Sequence, residues 1–292
     1  MRKITLFASI ILFNCALCTL SGNAQPIYMS NKIKYTGIEE LKTYNLYNKK
    51  DNPACNLRIN FFYPEIENNK DLQERLQSLF ISSFFGNEYA GFSPQKAVKS
   101  YSKTYVENYK NAFEQSGYQE EIKQVKENGE DFYTFEKKMQ NTILFNQGNL
   151  VSQVINIYEN TGGAHGASST KGMVIDINTG KKLEYEDVFQ VEMEEAISEL
   201  LLFELMSARN YPNREALAED GFDFEVIRPT GNFVADDKGV TFIYNPYELG
   251  AYILGIVEIA VPYSDLFLYV KPESTLYRWA RNHIPIDEDD YY

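Results

Sequence analysis

The amino-acid sequence predicts an α+β fold, in which helices pack on one side of a mainly antiparallel sheet. Apolar residues recur at helical spacing between residues 72 and 113. From residue 131 onward the apolar period shortens to that of strands, and one further helical segment is followed by late strands. The strand–helix alternation of a doubly wound sheet does not occur, so segregated helices and strands are expected.

The first predicted elements are one strand and two helices. Residues 57–63 alternate apolar and polar side chains, which predicts a strand that ends at Pro64. Residues 72–84 form the first helix, and the second begins with Ser93 as its N-cap and Pro94 just inside it. The inner stripe of the second helix is expected to be mostly aromatic: Val98, Tyr101, Tyr105, Tyr109, Ala112 and Phe113.

The second half of the chain supplies most of the predicted strands. They cover residues 132–145, 150–158, 173–177, 240–244 and 256–261. Residues 178–181 are a predicted tight turn in which Gly180 takes a positive φ. A third helix is expected over residues 192–208, because its apolar side chains recur on one face.

The start of the chain has the pattern of a secretory signal. A short basic segment precedes an apolar run over residues 4–20, and small residues occupy the two positions that signal peptidase reads. We expect removal of residues 1–24 and an exported protein, periplasmic or extracellular, with no transmembrane segment after cleavage. The alternative is a lipid anchor in the envelope, attached at Cys15 or Cys18.

Charge and cysteine content narrow the classes of partner. Without the signal, 26 basic residues face 41 acidic ones, a net charge of −15. Nucleic acid is therefore excluded as a partner, because phosphate binding needs a cationic face. An acidic surface attracts a basic protein, although it also serves solubility alone. Cys55 is then the remaining cysteine and is expected to be a small buried hydrophobic residue.

The first candidate binding stretch is glycine-rich and lies between two predicted strands, over residues 158–166. Its candidate residues are Tyr158, Gly162, Gly163 and His165. Glycines allow positive φ or close approach of another surface. His165 has three interpretations, as a general base, a metal ligand or a structural residue. A structural or binding role is favoured, because no adjacent nucleophile or orienting partner accompanies it.

The second candidate stretch is a tyrosine-rich loop within residues 242–252, between two late strands. Its candidate residues are Tyr244, Tyr247, Glu248 and Tyr252. The rings could form a patch that stacks on sugars or contacts a protein. The favoured interpretation is that they plug the end of the sheet while Glu248 bonds to backbone amides, because burial is the common fate of such rings.

The sequence indicates no catalytic residues, no metal site and no cofactor. His165 and His283 are the two histidines and lie far apart in sequence, which does not fit a zinc-ligand motif. None of the usual hydrolase or phosphate-binding motifs occurs. A pair of carboxylates for glycoside hydrolysis stays open among the 41 acidic residues.

Both stretches, taken with two shorter ones, resemble a known family. The matching residues are 161–165, 180–183, 187–189, 245–248, Tyr252, Gly255 and 261–263. They resemble the extracytoplasmic domains of RsiV-type anti-sigma factors, which sense lysozyme, and the non-catalytic N-terminal region of PdaC-type peptidoglycan deacetylases. The resemblance spans about residues 57–266. It implies an α+β ectodomain that binds a protein or lies near peptidoglycan.

The resemblance also suggests a division of the chain. Residues 25–170 are expected to be a PdaC-like α+β region and residues 171–286 an RsiV-type α+β region. The acidic tail, residues 287–292, is expected to be disordered. The sequence shows neither a sigma-binding segment nor a deacetylase domain, so those activities are not carried over.

Two functions follow from this reading of the sequence. The first is an exported, non-catalytic binding protein of the cell envelope that recognises a cationic protein such as lysozyme. The alternative is an accessory or cryptic hydrolase, associated with deacetylation, that acts on peptidoglycan or other glycans. In that case the partner is a cell-wall glycan, and His165 works beside a carboxylate.

Overall fold

A computed structural model describes residues 33–114, 118–127, 132–163 and 165–283. The predicted signal, residues 1–24, and the predicted tail, residues 287–292, lie outside the described residues. No helix within the described ranges is long and apolar enough to cross a membrane.

The described strands form two sheets. The first contains β1 (Ile33–Asn45), β2 (Ala54–Ile66), β3 (Phe135–Gln147), β4 (Leu150–Thr161), β5 (Ala167–Asp176) and β6 (Lys181–Lys182). The second contains β7 (Phe233–Ala235), β8 (Gly239–Tyr244) and β9 (Val257–Pro262). The helices are α1 (Lys70–Phe85), α2 (Pro94–Phe113), α3 (Tyr118–Glu127), α4 (Tyr185–Val188), α5 (Glu194–Arg209), α6 (Arg214–Glu219), α7 (Tyr263–Leu266) and α8 (Thr275–His283). The predicted α+β class is confirmed.

The large sheet follows chain order from β1 to β6, and its neighbouring strands are antiparallel except for β2 and β3. A parallel pair needs a long crossover, and α1 to α3 provide it. Ser93 caps α2 as predicted, since its hydroxyl accepts a hydrogen bond from the Lys96 amide at 3.4 Å. In the predicted stripe of α2, Ala112 is exposed rather than inward-facing.

A first core fills the space between the large sheet and helices α1 and α2. Its centre is aromatic, with the Phe61 and Phe84 ring centroids 4.9 Å apart and Phe80 also buried. Cys55 belongs to a small neighbouring cluster and is fully buried. Burial raises the pKa of its thiol to about 11, as expected for an unreactive core residue.

The structure differs from the prediction at the start of the large sheet. Strand β1 was not expected, because residues 33–45 mix charged and polar residues without clear alternation. Pro64 does not end β2, which continues to Ile66. The parallel pairing of β2 with β3 stops at Asn60, so the missing N–H of Pro64 leaves no bond of that pairing unmade.

A second core lies between the small sheet, helices α5 and α8, and the other face of β4 and β5. Leu150 and Val174 enter this core, whereas Val151 and Ile175 enter the first. Successive residues of one strand point to opposite faces, so β4 and β5 serve both cores. The third helix was predicted within two residues of its observed start, since α5 begins at Glu194.

Asparagine side chains join the two sheets along the free edge of β5. The Asn232 amide donates to the carbonyls of Thr170 (3.0 Å) and Ile243 (2.9 Å) and accepts from the Gly172 amide at 2.6 Å. Asn245 accepts from the Thr170 amide at 2.7 Å. These bonds satisfy strand-edge groups that would otherwise be unpaired, and they place the β8–β9 loop beside the β4–β5 loop.

The predicted boundary between residues 170 and 171 falls inside β5. The two predicted regions therefore share one sheet. The position of the boundary stays a prediction.

Candidate functional site

The two candidate stretches meet in the folded chain. The hydroxyl of Tyr252, in the β8–β9 loop, donates to the carbonyl of Gly166, in the β4–β5 loop, at 2.9 Å. The His165 ring stacks on Tyr252 with centroids 4.8 Å apart and planes 28° apart. The Tyr247 ring lies on the same group, 5.2 Å from Tyr252. We call His165, Tyr252 and Tyr247 the aromatic stack.

The β8–β9 loop presents part of its aromatic content to solvent. Tyr247 is 70% exposed and has a positive φ of 75°. Ile253, next to Tyr252, is 89% exposed and was not identified from the sequence, although its place beside a candidate tyrosine was a usable signal. Tyr244 is 3% exposed and donates to the Arg228 carbonyl at 2.7 Å. Tyr244 therefore supports the fold and offers no surface to a ligand.

Backbone hydrogen bonds hold this loop in place. The Glu248 carboxylate accepts from the Asn245 amide at 2.7 Å, as the favoured interpretation expected. The Asp223 amide donates to the Leu249 carbonyl at 2.9 Å, and the Ala251 amide donates to the Gly221 carbonyl at 3.1 Å. The buried Leu249 side chain anchors the turn. The exposed rings therefore sit on a fixed backbone and do not plug the sheet.

Two glycines shape the β4–β5 loop, and Gly163 is not one of them. Gly162 has a φ of 83°, and a Cβ there would lie 1.7 Å from the Phe132 carbonyl oxygen. A Cβ at Gly166 would lie 2.5 Å from the Tyr158 ring. At Gly163 the φ is not positive, and the nearest atom to an added Cβ is 3.9 Å away. The backbone conformation therefore requires glycine at Gly162, and the Tyr158 ring leaves little space for a side chain at Gly166, whereas Gly163 has neither constraint.

Tyr158 lies beside this loop on the large sheet. The Lys138 ammonium lies 5.3 Å from the centre of its ring and 2.8 Å from the Glu136 carboxylate. An open groove of about 380 Å³ runs next to them and is lined by Phe132, Thr134, Glu136, Asn160, Gly162 and Gly163. The structure thus gathers Tyr158, both loop stretches and this groove at one corner of the protein.

The surroundings of His165 are those of a contact residue. Its Nδ1 lies 3.3 Å from the Gly166 carbonyl oxygen, and its ring faces Tyr252. The ring is exposed, so it matches neither a buried structural histidine nor a base oriented by a carboxylate. Within the described ranges, no group of three or more His, Cys, Asp or Glu side chains is placed to hold a metal ion.

Two carboxyl groups elsewhere have raised pKa values. Burial raises the pKa of Glu204, on α5, and the nearby charge of Asp265 raises it further. Burial also raises the pKa of Glu258, on β9. Glu204 and its charged neighbour Asp265 lie on α5 and α7, so neither belongs to the glycine-rich loop that contains His165.

Two family models match the sequence. The model described as "Protein of unknown function (DUF3298)" matches residues 186–264, and the model described as "Deacetylase PdaC" matches residues 48–168. The second match confirms the predicted resemblance to PdaC-type proteins. No curated protein matches the sequence.

Solved structures share the fold. The crystal structure of a DUF3298 family member from Bacteroides fragilis NCTC 9343 is 31% identical, with a TM-score of 0.78. That comparison covers 86% of this chain and 98% of the other. A DUF3298 family protein from Pseudomonas aeruginosa PAO1 is 16% identical, with a TM-score of 0.56 over 83% of this chain and 96% of that chain. The second comparison shows the fold alone.

Proposed function

The chain belongs to the DUF3298 family, whose description gives no function. From the geometry of the site, we propose that it is an exported, non-catalytic binding protein of the cell envelope. The observation that carries the proposal is the aromatic stack. Two loops build it, with a hydrogen bond between residues 86 apart in sequence, and it leaves Tyr247 and Ile253 largely exposed.

The stack has the properties of a preformed contact surface. Tyrosine offers a large contact area at low cost in conformational entropy, because it has two side-chain torsions. The ring contacts and the Tyr252 hydrogen bond restrict those torsions before any partner arrives. Preorganisation of this kind lowers the entropy cost of binding. Exposed apolar side chains grouped on a fixed loop are typical of interaction sites.

The geometry supports binding better than catalysis. A general base needs a reacting proton within reach and a partner that orients the imidazole. His165 contacts a carbonyl oxygen and a tyrosine ring, which position the side chain without activating a nucleophile. The stack therefore favours recognition by contact.

The partner that fits best is a basic protein. The whole chain carries 41 acidic against 28 basic residues, which gives a net charge of −13. Such an excess attracts a cationic partner and speeds its encounter. The resemblance to lysozyme-sensing RsiV-type domains makes a lysozyme the first partner to test.

Calorimetric titration of the mature chain against a panel of lysozymes tests this proposal. We expect micromolar or tighter binding to at least one, weakened at least tenfold by Tyr247→Ala, since central aromatic contacts dominate such interfaces. Phe203→Ala is the matched control, because Phe203 is 64% exposed on α5 and lies outside the stack. Binding to cell-wall glycan but to no lysozyme, or equal losses in the two variants, would contradict the proposal.

A further inference from the structure

The groove beside the glycine-rich loop lies on the face of the large sheet that points away from α1 and α2. Glu136 and Asn160 line it and are directly opposite in the register of β3 and β4. Met139 faces the first core. Because successive residues of a strand point to opposite faces, Glu136 and Lys138 both point to the other side of the sheet.

The groove adjoins the aromatic stack. Glu159 pairs with Ala167 across β4 and β5, so Asn160 and Gly166 are the next residues on these two strands. Asn160 lines the groove, and the Gly166 carbonyl accepts the hydrogen bond from the Tyr252 hydroxyl. The groove and the stack therefore lie side by side, and a partner that covers the stack also reaches the groove.

A cation of the protein itself already occupies this corner. The Lys138 ammonium lies 2.8 Å from the Glu136 carboxylate and 5.3 Å from the centre of the Tyr158 ring. Lys138 and Tyr158 are directly opposite in the register, so the two side chains lie on the same face. A carboxylate and the face of an aromatic ring both attract positive charge. The pair Glu136 and Tyr158 therefore favours a cation.

Lys138 is held weakly enough to be displaced. Its side chain is 52% exposed, and that of Glu136 is 41% exposed. Exposed ion pairs contribute little, because water screens the charges and ordering two long side chains costs entropy. The lysine stem is flexible, so the ammonium can move into solvent when another cation binds.

The rest of the groove has room for a long, partly apolar side chain. Phe132 lines it and is 56% exposed. Among the described residues that line the groove, Glu136 alone carries a charge. The volume of about 380 Å³ equals that of about a dozen water molecules at liquid density. Arginine fits these surroundings, since its planar guanidinium forms two parallel hydrogen bonds to a carboxylate and stacks on aromatic rings.

We propose that this groove receives an arginine side chain of the basic partner. The guanidinium replaces the Lys138 ammonium between the Glu136 carboxylate and the Tyr158 ring, while the apolar stem lies along Phe132. This inference rests on the proposed function, because it names the group by which a basic protein is recognised beside the stack. Net charge attracts every basic protein, whereas the groove selects one that presents an arginine next to the contacted surface.

A small arginine derivative tests the groove without a protein partner. Amide NMR spectra of the isotope-labelled mature chain are recorded during titration with N-acetyl-argininamide and, separately, with N-acetyl-lysinamide at constant ionic strength. We expect saturable shifts of the Gly162 and Gly163 signals, with a lower dissociation constant for the arginine derivative. Equal constants for the two derivatives, or no saturable shift at these glycines, would overturn the proposal.

Two variants of the groove should change the affinity in opposite directions. Glu136→Gln removes the charged acceptor and should raise the dissociation constant of N-acetyl-argininamide about tenfold or more. Lys138→Gln removes the competing ammonium and should lower that constant by about two- to fivefold. A Glu136→Gln protein that binds like the original would overturn the proposal.

A second exposed ion pair provides matched controls. Lys103 and Glu107 pair at 3.6 Å on α2, which packs against the opposite face of the large sheet. Lys103→Gln and Glu107→Gln remove the same charges and should change the constant by less than about twofold, because distant exposed charges are screened. Effects equal to those of the groove variants would show general attraction and overturn the proposal. The titration involves no lysozyme, so this inference and the proposed function can fail separately.

Discussion

Asparagine side-chain amides bond to backbone groups of strands at positions where no neighbouring strand pairs with them. The Asn141 amide donates to the Phe62 carbonyl at 2.8 Å and accepts from the Phe62 amide at 2.7 Å. On β5, the Asn232 amide likewise donates to the Thr170 carbonyl and accepts from the Gly172 amide, while Asn245 only accepts, from the Thr170 amide. A primary amide presents one acceptor and two donors in the geometry of a peptide group, so it can extend a ladder beyond the last paired residue.

The bonds of Asn232 predict a stability effect. Asn232→Ala removes two hydrogen bonds to β5 and one to β8, so we expect a loss of about 2–4 kcal/mol in the free energy of unfolding. Urea denaturation measures it. Asn87→Ala, at an exposed position after α1, is the control and should change the free energy of unfolding by less than about 0.5 kcal/mol. Equal effects of the two substitutions would contradict the role given to Asn232.

The β4–β5 loop offers a matched pair of glycine substitutions. Gly162→Ala forces a side chain into a positive φ and against the Phe132 carbonyl, so it should destabilise the protein by at least about 1–3 kcal/mol. Gly163→Ala meets no close atom and should leave the melting midpoint nearly unchanged. Thermal unfolding of both variants checks this. A lower melting midpoint for Gly163→Ala than for Gly162→Ala would contradict the backbone conformation assigned to this loop.

Residue patterns predicted part of this site. The glycine-rich run indicated a special backbone conformation, yet three glycines within five positions gave no way to tell which one carries it. The choice depends on Phe132, which approaches Gly162 from before β3. Tyr244 and Tyr247 likewise occur in one short segment, and only the burial of the first separates their roles.

The sequence predicted the elements whose apolar residues recur with a helix or strand period. It did not predict features that depend on position in the sheet or on tertiary contacts. Helix α5 and the strands β8 and β9 follow their apolar patterns within two residues. Strand β1 is polar because it lies at the edge of the sheet, where charged side chains limit pairing with other chains. The contact between the β4–β5 and β8–β9 loops is tertiary, so each stretch was predicted separately but not their meeting.

Helix α5 carries a carboxyl group whose titration should be visible in stability. Burial and the nearby charge of Asp265 raise the pKa of Glu204 in the folded chain. The free energy of unfolding therefore falls as the pH rises above the pKa that Glu204 has in the unfolded chain. Glu204→Gln should therefore raise the melting temperature at pH 7, and the difference should close as the pH falls to about 4. Differential scanning calorimetry across this range measures it.

The control for this pH dependence is Glu219→Gln, which replaces an exposed carboxyl at the end of α6. Its melting temperature should differ little from that of the original protein at either pH. A Glu204→Gln protein that is less stable than the original at pH 7 would contradict the assigned cause.

At the scale of the whole molecule, two cores share the strands β4 and β5. The first core contains α1 and α2, and the second contains α5, α8 and the small sheet. The aromatic stack and helix α8 lie at opposite ends of β4.

Export of the molecule is testable directly. Cleavage after residue 24 predicts a mature chain that begins at Gln25 when the gene product is recovered from the envelope or the medium. Intact-mass spectrometry measures this. A mass that includes a diacylglycerol group on Cys15 or Cys18 would replace the exported form with a lipid-anchored one.

The central claim is that an acidic protein binds a basic partner through the aromatic stack, and surface plasmon resonance tests it most directly. Glu225 lies two residues after Asp223, whose amide bonds to the Leu249 carbonyl of the β8–β9 loop. The charge reversal Glu225→Lys should therefore mainly slow association. Tyr247→Ala should mainly speed dissociation. For the unaltered chain on immobilised lysozyme, we predict association that slows as salt rises. No binding at micromolar protein, or rates unaffected by both substitutions, would contradict the claim.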